Sequence, residues 1–149
     1  MATPKRVLVA DDDPDIRALL TTILRQRNLL VDEAANGDQA LEQLEQNPYA
    51  VVLLDLMMPG VDGFGVLDAL RASADPPVVL VVTAANRAAI ERLDTQHIHG
   101  IIRKPFEPDE VAELVVACVE IKSRGTFEAM ALSVMIASAP IVAWLTLKS

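Results

Sequence analysis

The chain has 149 residues, of which 52% are hydrophobic and 23% charged, and its formal net charge is −8 at pH 7. This length and apolar content suit one folded domain with a sizeable core and exclude a disordered chain. The acidic charge excludes a nucleic-acid interface built on a basic stripe. A lone cysteine, Cys118, cannot form an internal disulfide, and no apolar signal-peptide core precedes the first strand, so we expect a cytoplasmic protein.

The first predicted strand is the apolar run 7–10, which ends at a row of aspartates. Asp13 stands before a proline, where an aspartate caps a helix, and Asp15 complements the dipole of its first turn. Asp11 and Asp12 are not needed for this role and are candidate ligands. A first helix to about residue 27 is predicted by apolar residues at helical spacing: Ile16, Leu19, Leu20, Ile23 and Leu24.

The rest of the chain alternates between strands and helices. Further strands are predicted at 29–34, 50–54, 78–82 and 101–102. Further helices are predicted at 37–47, about 64–72, about 86–93, and from 108 to about 121. Five strands that alternate with five helices predict a doubly wound α/β fold with a parallel sheet in the order 2-1-3-4-5.

The residues with functional chemistry follow the strands of this predicted sheet directly. Asp11 and Asp12 follow strand one, Asp55 strand three, Thr83 strand four and Lys104 strand five. Because the carboxyl ends of parallel strands share one edge, these side chains are expected to converge there. Clustered carboxylates repel one another unless a cation is present, and Mg²⁺ prefers such oxygen ligands. A lysine and a hydroxyl suit the binding of phosphoryl oxygens, so the set favours phosphoryl transfer with Asp55 as nucleophile.

These motifs resemble those of the response-regulator receiver domain of two-component signalling, in this order: Asp11-Asp12, Asp55 with Met58-Pro59-Gly60 and Asp62-Gly63, Thr83-Ala84, and Lys104-Pro105-Phe106. The resemblance covers roughly residues 5–123, so we divide the chain into a receiver domain, 1–123, and an apolar tail, 124–149. It implies a CheY-like signalling switch rather than an enzyme with its own substrate.

The resemblance also implies a role for each site residue. Asp55 takes a phosphoryl group from a sensor histidine kinase or a phosphotransfer protein, and the phosphate is later lost by the domain's own chemistry. Asp11, Asp12, Asp55 and the backbone carbonyl of Met57 hold Mg²⁺, with Asp11 acting through water. Thr83 and Lys104 bind phosphoryl oxygens, and the Lys104-Pro105 peptide is cis. Output passes to a downstream protein through protein contacts.

Two departures from the family pattern concern output and phosphate lifetime. Receivers usually carry an aromatic residue three positions before the lysine, where this chain has Ile101, so an aromatic switch coupled to Thr83 is in doubt. Met57 and Ala85 stand where other receivers tune dephosphorylation with acidic or amide side chains. We therefore expect a long-lived phosphoryl group. His97 and His99 are interpreted as surface residues rather than metal ligands.

Two other functions remain open at this stage. A phosphatase of the haloacid-dehalogenase type also forms an aspartyl phosphate on a parallel sheet, but it carries a second aspartate two residues after the nucleophile. Here Asp55 is followed by Leu56-Met57. The other alternative is a receiver-like binding module that does not accept phosphate.

The tail contains an uncharged stretch, residues 129–147, which is long enough to cross a bilayer. Lys122 and Arg124 precede it, in agreement with the positive-inside rule. One hypothesis is a membrane anchor at the cytoplasmic face. The other is a helix, interrupted at Pro140, that docks on the receiver or supports a homodimer.

Overall fold

The computed structural model describes residues 5–124 and 141–142. The strands are β1 (Arg6–Ala10), β2 (Leu30–Ala34), β3 (Val51–Leu54), β4 (Val78–Thr83), β5 (Gly100–Arg103) and β6 (Ile141–Val142). The helices are α1 (Pro14–Gln26), α2 (Gly37–Gln46), α3 (Gly63–Arg71), α4 (Arg87–Glu91) and α5 (Pro108–Arg124). A short 3₁₀ helix, Thr95–His97, lies between α4 and β5.

One sheet runs through the domain in the order β2-β1-β3-β4-β5-β6. The first five strands are parallel, which confirms the predicted fold and strand order. In this order β1 and β3 are neighbours at the point where the chain reverses its direction across the sheet. Ala10 pairs with Leu54, so the residues after them, Asp11 and Asp55, begin side by side.

The core forms two layers, one on each face of the sheet. Alternate strand residues such as Val9, Leu53 and Leu80 pack with α1 and α5 on one face. Their neighbours, such as Leu54 and Val81, pack with α2, α3 and α4 on the other. Both faces of β3 and β4 are therefore buried, which explains their uninterrupted apolar sequences.

The capping residues of four helices fix where the chain turns from the sheet into each helix. The side chain of Asp13 accepts from the N–H of Asp15 at 2.9 Å, as the sequence predicted. Asn36, Asp62 and Asn86 similarly accept from backbone N–H groups in the first turns of α2, α3 and α4. Each cap satisfies a donor that the helix itself leaves open. The caps of α1, α3 and α4 also define the loops around the carboxyl edge.

Three features differ from the sequence-based expectation. Helix α4 covers only five residues and ends at Glu91, before the expected end near residue 93, and a separate 3₁₀ helix, Thr95–His97, follows it. His99 is half-buried rather than on the surface, because its Nδ1 accepts from the N–H of Val79 at 3.1 Å. Ile141–Val142 form a strand and not part of a helix. Both residues are β-branched, which favours a strand, and both pair with β5.

The remaining residues of the tail, 125–140 and 143–149, lie outside the described residues, and so do the two hypotheses for them. Within residues 5–124 and 141–142, no helix is both long enough and apolar enough to cross a membrane.

Candidate functional site

Lys104 lies at the centre of a charged cluster at the carboxyl edge of the sheet. Its Nζ is 2.7 Å from Oδ2 of Asp11 and 3.2 Å from Oδ2 of Asp55. The side chains of both aspartates are at most 5% exposed, and that of Lys104 is 13% exposed. The structure thus brings together three side chains from the ends of β1, β3 and β5.

Asp12 completes an acidic cluster at the mouth of this site. One carboxylate oxygen each from Asp11, Asp12 and Asp55 lie within 4.8 Å of one another. Asp11 and Asp55 are buried, whereas Asp12 is exposed. Three negative charges therefore surround a small space in which Lys104 supplies one positive charge. The donor set consists of oxygens only, as a hard divalent cation requires.

Asp11 is held from three directions. The N–H of Asp13 donates to its Oδ1 at 2.9 Å, and Lys104 occupies its other oxygen. On the backbone, Nη1 of Arg17 donates to the carbonyl oxygen of Asp11 at 2.8 Å. Arg17 also forms an ion pair with Glu33 at the end of β2, at 3.3 Å. No sequence motif distinguishes Arg17 from any other arginine on the first turns of a helix, so the sequence alone does not indicate its role.

Asp55 is positioned by its own backbone and by a close approach of α3. Its N–H donates to the carbonyl of Ala10 at 2.9 Å, which continues the β1–β3 ladder. The N–H of Met57 donates to Oδ1 of Asp55 at 3.1 Å, so Oδ1 and Oδ2 have different partners. A Cβ on Gly63 would lie 2.4 Å from the carbonyl oxygen of Asp55. Only glycine therefore allows α3 to begin directly beneath the nucleophile candidate.

Thr83 is fully buried at the end of β4. Its Oγ1 accepts from the N–H of Ala85 at 3.0 Å, which folds the β4–α4 loop back over the strand end. Arg103 contacts the same loop, where its Nη1 lies 3.4 Å from the carbonyl oxygen of Ala85. The loop after β4 is thus tied both to Thr83 and to the residue before Lys104.

The charges in the cluster shift one another's protonation equilibria. Burial raises the pKa of Asp11 above its usual value, although the hydrogen bonds from Lys104 and Asp13 oppose the shift. Burial alone would lower the pKa of Lys104, but the adjacent carboxylates of Asp11 and Asp55 outweigh it and the pKa is raised. The lysine is consequently cationic at neutral pH, as its position between two carboxylates requires.

The cis Lys104–Pro105 peptide that the family resemblance implies is present. The peptide follows β5 directly, where Lys104 turns towards Asp11 and Asp55. A doubly wound parallel sheet with an acidic cluster and a lysine at its switch point is the arrangement of CheY-like α/β proteins.

Comparisons with known proteins agree with this class. The family model described as the response regulator receiver domain matches residues 7–116. The chain therefore belongs to the response regulator receiver domain family.

Among curated relatives, the transcriptional regulatory protein ResD of Bacillus subtilis is 34% identical over 122 residues, which are 82% of this chain and 51% of ResD. The response regulator GtcR of Aneurinibacillus migulanus is 34% identical over 131 residues, 83% of this chain and 50% of GtcR. The chain spans about half the length of the curated relatives that it matches.

Solved structures extend the similarity to three dimensions. The receiver domain of the Francisella response regulator 1452 has a TM-score of 0.69 and 31% identity, covering 79% of this chain and 98% of that one. TrrA of Thermotoga maritima, solved in complex with Mg²⁺–BeF, has a TM-score of 0.68 and 32% identity, covering 76% of this chain and 97% of TrrA. Both similarities concern the receiver part of the chain.

Proposed function

We propose that this receiver domain accepts a phosphoryl group on Asp55 from the phosphohistidine of a sensor histidine kinase or phosphotransfer protein. The observation that supports this most directly is the contact of Lys104 with both Asp11 and Asp55, beside the exposed carboxylate of Asp12. Oδ2 of Asp55 already lies next to a fixed cation, which is where the charge of a transferred phosphoryl group needs compensation.

The acidic cluster fits Mg²⁺. Three carboxylate oxygens from Asp11, Asp12 and Asp55 lie within 4.8 Å of one another, and one lysine cannot neutralise them. We assign these carboxylates and the backbone carbonyl of Met57 as the residues that hold the ion, with Asp11 acting through water. When bound, Mg²⁺ supplies positive charge to the phosphoryl oxygens and to the carboxylates around it. TrrA, a relative by structure, was solved with Mg²⁺–BeF.

The transfer itself is a displacement at phosphorus. A carboxylate oxygen of Asp55 forms the new P–O bond, the P–N bond to the donor histidine breaks, and the departing imidazole takes up a proton. Lys104 neutralises charge on a phosphoryl oxygen. The hydroxyl of Thr83 accepts from the N–H of Ala85 through a lone pair, so its own O–H is free to donate to another phosphoryl oxygen. Hydrolysis by water later returns inorganic phosphate and free Asp55, so the chain is a switch with self-phosphorylation and autodephosphorylation only.

We infer that output passes through contacts with a downstream protein in the cytoplasm. ResD and SrrA are named transcriptional regulatory proteins, and each is about twice as long as its match to this chain. The described residues form only the receiver fold, and the net charge of −8 does not suit direct contact with nucleic acid. The target that this receiver domain itself contacts is therefore proposed to be a protein.

The phosphoacceptor is tested by incubating the chain with acetyl phosphate and Mg²⁺ and measuring its intact mass. Wild type is expected to gain the mass of one phosphoryl group, and Asp55→Asn to gain none. Asp38→Asn is the matched control, because it removes an exposed aspartate outside the acidic cluster. EDTA should abolish labelling of wild type. Equal labelling of Asp55→Asn and wild type would remove Asp55 from its proposed role.

A further inference from the structure

The edge of β5 away from β4 is covered by β6. Ile101 pairs with Val142 and Ile102 with Ile141, in antiparallel orientation. These are the only antiparallel pairs in the sheet that the structure describes, and they join residues about forty positions apart. A segment of the chain beyond α5 thus extends the sheet by one short strand.

The two outer strands of the parallel sheet differ in how they are protected. β2 carries Asp32 and Glu33, which form ion pairs with Arg6 and Arg17. Charged residues on an outer strand discourage pairing with another chain. In β5, by contrast, the two residues that pair with β6, Ile101 and Ile102, carry no charge, and the charged residue Arg103 lies at the end of the strand, where it contacts the carbonyl of Ala85. An unprotected strand edge presents unpaired N–H and C=O groups that bind an extended segment.

We propose that the edge of β5 is a strand-docking surface, and that the chain's own segment at Ile141–Val142 occupies it and competes with any extended apolar segment of a partner. A strand of two residues makes few backbone hydrogen bonds, so the segment is displaceable. Its sequence suits the surface, since both residues are β-branched and uncharged. The proposal rests on the sheet and not on phosphorylation of Asp55.

The docking surface is continuous with the candidate site. The paired residue Ile102 is followed by Arg103, which contacts the β4–α4 loop through the carbonyl of Ala85, and then by Lys104. Ile101 is fully buried, so its side chain cannot reach a partner and the edge is available through its backbone. A segment bound there would lie within three residues of the lysine that contacts Asp55.

The first test removes the hydrogen-bonding capacity of β6 in the full-length chain. Neighbouring residue pairs in an antiparallel ladder alternate between hydrogen-bonded and non-hydrogen-bonded pairs, so only one of the two residues donates its N–H to β5. Proline has no N–H, so the double variant Ile141→Pro/Val142→Pro removes this hydrogen bond whichever residue donates it. The control is Ile141→Val/Val142→Ile, which keeps both N–H groups and the total side-chain volume. Hydrogen exchange of the peptide covering residues 100–103 is then measured by mass spectrometry.

Exchange in that peptide is expected to rise about fivefold in the proline variant, the factor for one lost backbone hydrogen bond, and to stay unchanged in the control and in α1. A synthetic peptide of residues 138–145 is expected to bind the proline variant more tightly than wild type. Unchanged exchange in β5, or equal binding of the peptide to both proteins, overturns the proposal.

Wild type provides a second test that does not depend on the folding of a variant. An antiparallel pair brings the Hα atoms of its non-bonded partners together, so an NMR contact is expected between 101 and 142 or between 102 and 141. In a mixture of isotope-labelled and unlabelled chains this contact should arise within one chain. A contact only between chains would make a second copy the occupant and overturn the proposed one, and absence of any contact would refute the docking.

Discussion

Lys104 donates to Oδ2 of Asp55 at 3.2 Å, although the two residues lie 49 positions apart in sequence. The contact joins the end of β5 to the end of β3 across the intervening strand β4. Since Asp11 and Asp12 add two more carboxylates, the site carries three negative charges against one positive charge. Because of this excess of negative charge, we expect the site to bind a cation. For the same reason we expect the stability of the domain to depend on a bound cation.

Replacing Lys104 by methionine is expected to destabilise the domain in the absence of Mg²⁺. The substitution keeps a similar side-chain volume but leaves the buried carboxylates of Asp11 and Asp55 without a counter-charge. A loss on the order of 2 kcal/mol in the free energy of unfolding is expected at pH 7, and millimolar Mg²⁺ should restore much of it. Urea titrations with and without Mg²⁺ measure both effects. The control is Lys5→Met, at an exposed lysine outside the site; identical midpoints for the two variants would contradict the prediction.

Asp12 is expected to contribute to Mg²⁺ affinity without contributing to the fold. It is exposed, so solvent screens its repulsion from the other two carboxylates, and Asp12→Asn should raise the free energy of unfolding in EDTA by less than about 1 kcal/mol. Loss of one of the clustered charges should weaken Mg²⁺ binding about tenfold or more, which corresponds to about 1.4 kcal/mol. Asp15→Asn is the control, because it removes another exposed acid, which lies in the first turn of α1 and outside the acidic cluster. Calorimetric titration with MgCl₂ decides the matter, and equal affinities for the two variants would exclude Asp12 as a ligand.

The sequence was sufficient to predict the parallel sheet and to place the charged residues of the site at the ends of its strands. A short, uninterrupted apolar run such as β3 indicates a strand that is buried on both faces. The residue after β3, which ends at Leu54, is Asp55, and its side chain lies in the site. The hydrogen bonds that hold this cluster in place were not predictable. Arg17 reaches the carbonyl of Asp11 through tertiary geometry alone, and nothing in the local sequence of α1 indicates that partner.

Thr83 is expected to stabilise the β4–α4 loop as well as to take part in phosphoryl binding. In Thr83→Ala the N–H of Ala85 loses its acceptor in a buried location, at an expected cost of about 1–3 kcal/mol in the free energy of unfolding, and the lost methyl group adds about 1 kcal/mol. Thr83→Ser keeps the hydroxyl and should lose only about 1 kcal/mol for the missing methyl group. Chemical denaturation measures the difference between the two variants. A Thr83→Ser protein no more stable than Thr83→Ala would show that the hydrogen bond does not matter.

His99 is expected to make the domain sensitive to mild acid. Burial lowers its pKa from 6.5 to about 4, with Lys122 and His97 adding to the shift, and protonation of Nδ1 would remove the acceptor of the Val79 N–H. Because the folded pKa lies below the unfolded one, this contribution to stability is complete above pH 6.5 and is lost as the pH falls towards 4. The two pKa values differ by about 2.5, and each pKa unit corresponds to about 1.4 kcal/mol, so the expected full loss is about 3 kcal/mol.

The test compares the unfolding of wild type and His99→Gln in urea at several pH values between 7.5 and 4.5. The slope of unfolding free energy against pH should be shallower in the variant, since glutamine does not titrate. His97→Gln controls for the loss of a histidine at a neighbouring, more weakly held position. Parallel pH profiles for wild type and His99→Gln would mean that carboxylates account for the whole acid sensitivity.

The structure also shows why the end of the chain was hard to predict from sequence. An uncharged stretch of this length is typical of a membrane span or an apolar helix, and a proline can occur in either. The pairing of Ile141–Val142 with β5 depends on an edge that forms only when the sheet is complete. A strand of two residues is too short to show an alternating pattern of apolar and polar residues. Its conformation depends on pairing with β5, which lies about forty residues earlier in the chain.

The phosphoryl group that we propose for Asp55 is expected to persist for minutes or longer. The side chains closest to the path of an attacking water have no group that could orient it. The Met57 side chain is 60% exposed at the mouth of the site, while its N–H is fixed on Oδ1 of Asp55. Met57→Asn would place an amide where a water must pass to reach phosphorus, and about tenfold faster hydrolysis is expected. Met57→Leu is the control, with similar volume and no hydrogen-bonding group. The decay of the phosphorylated mass after removal of acetyl phosphate gives the lifetimes; a wild-type half-life of seconds, or equal decay in Met57→Asn and Met57→Leu, would show that water is oriented by other groups.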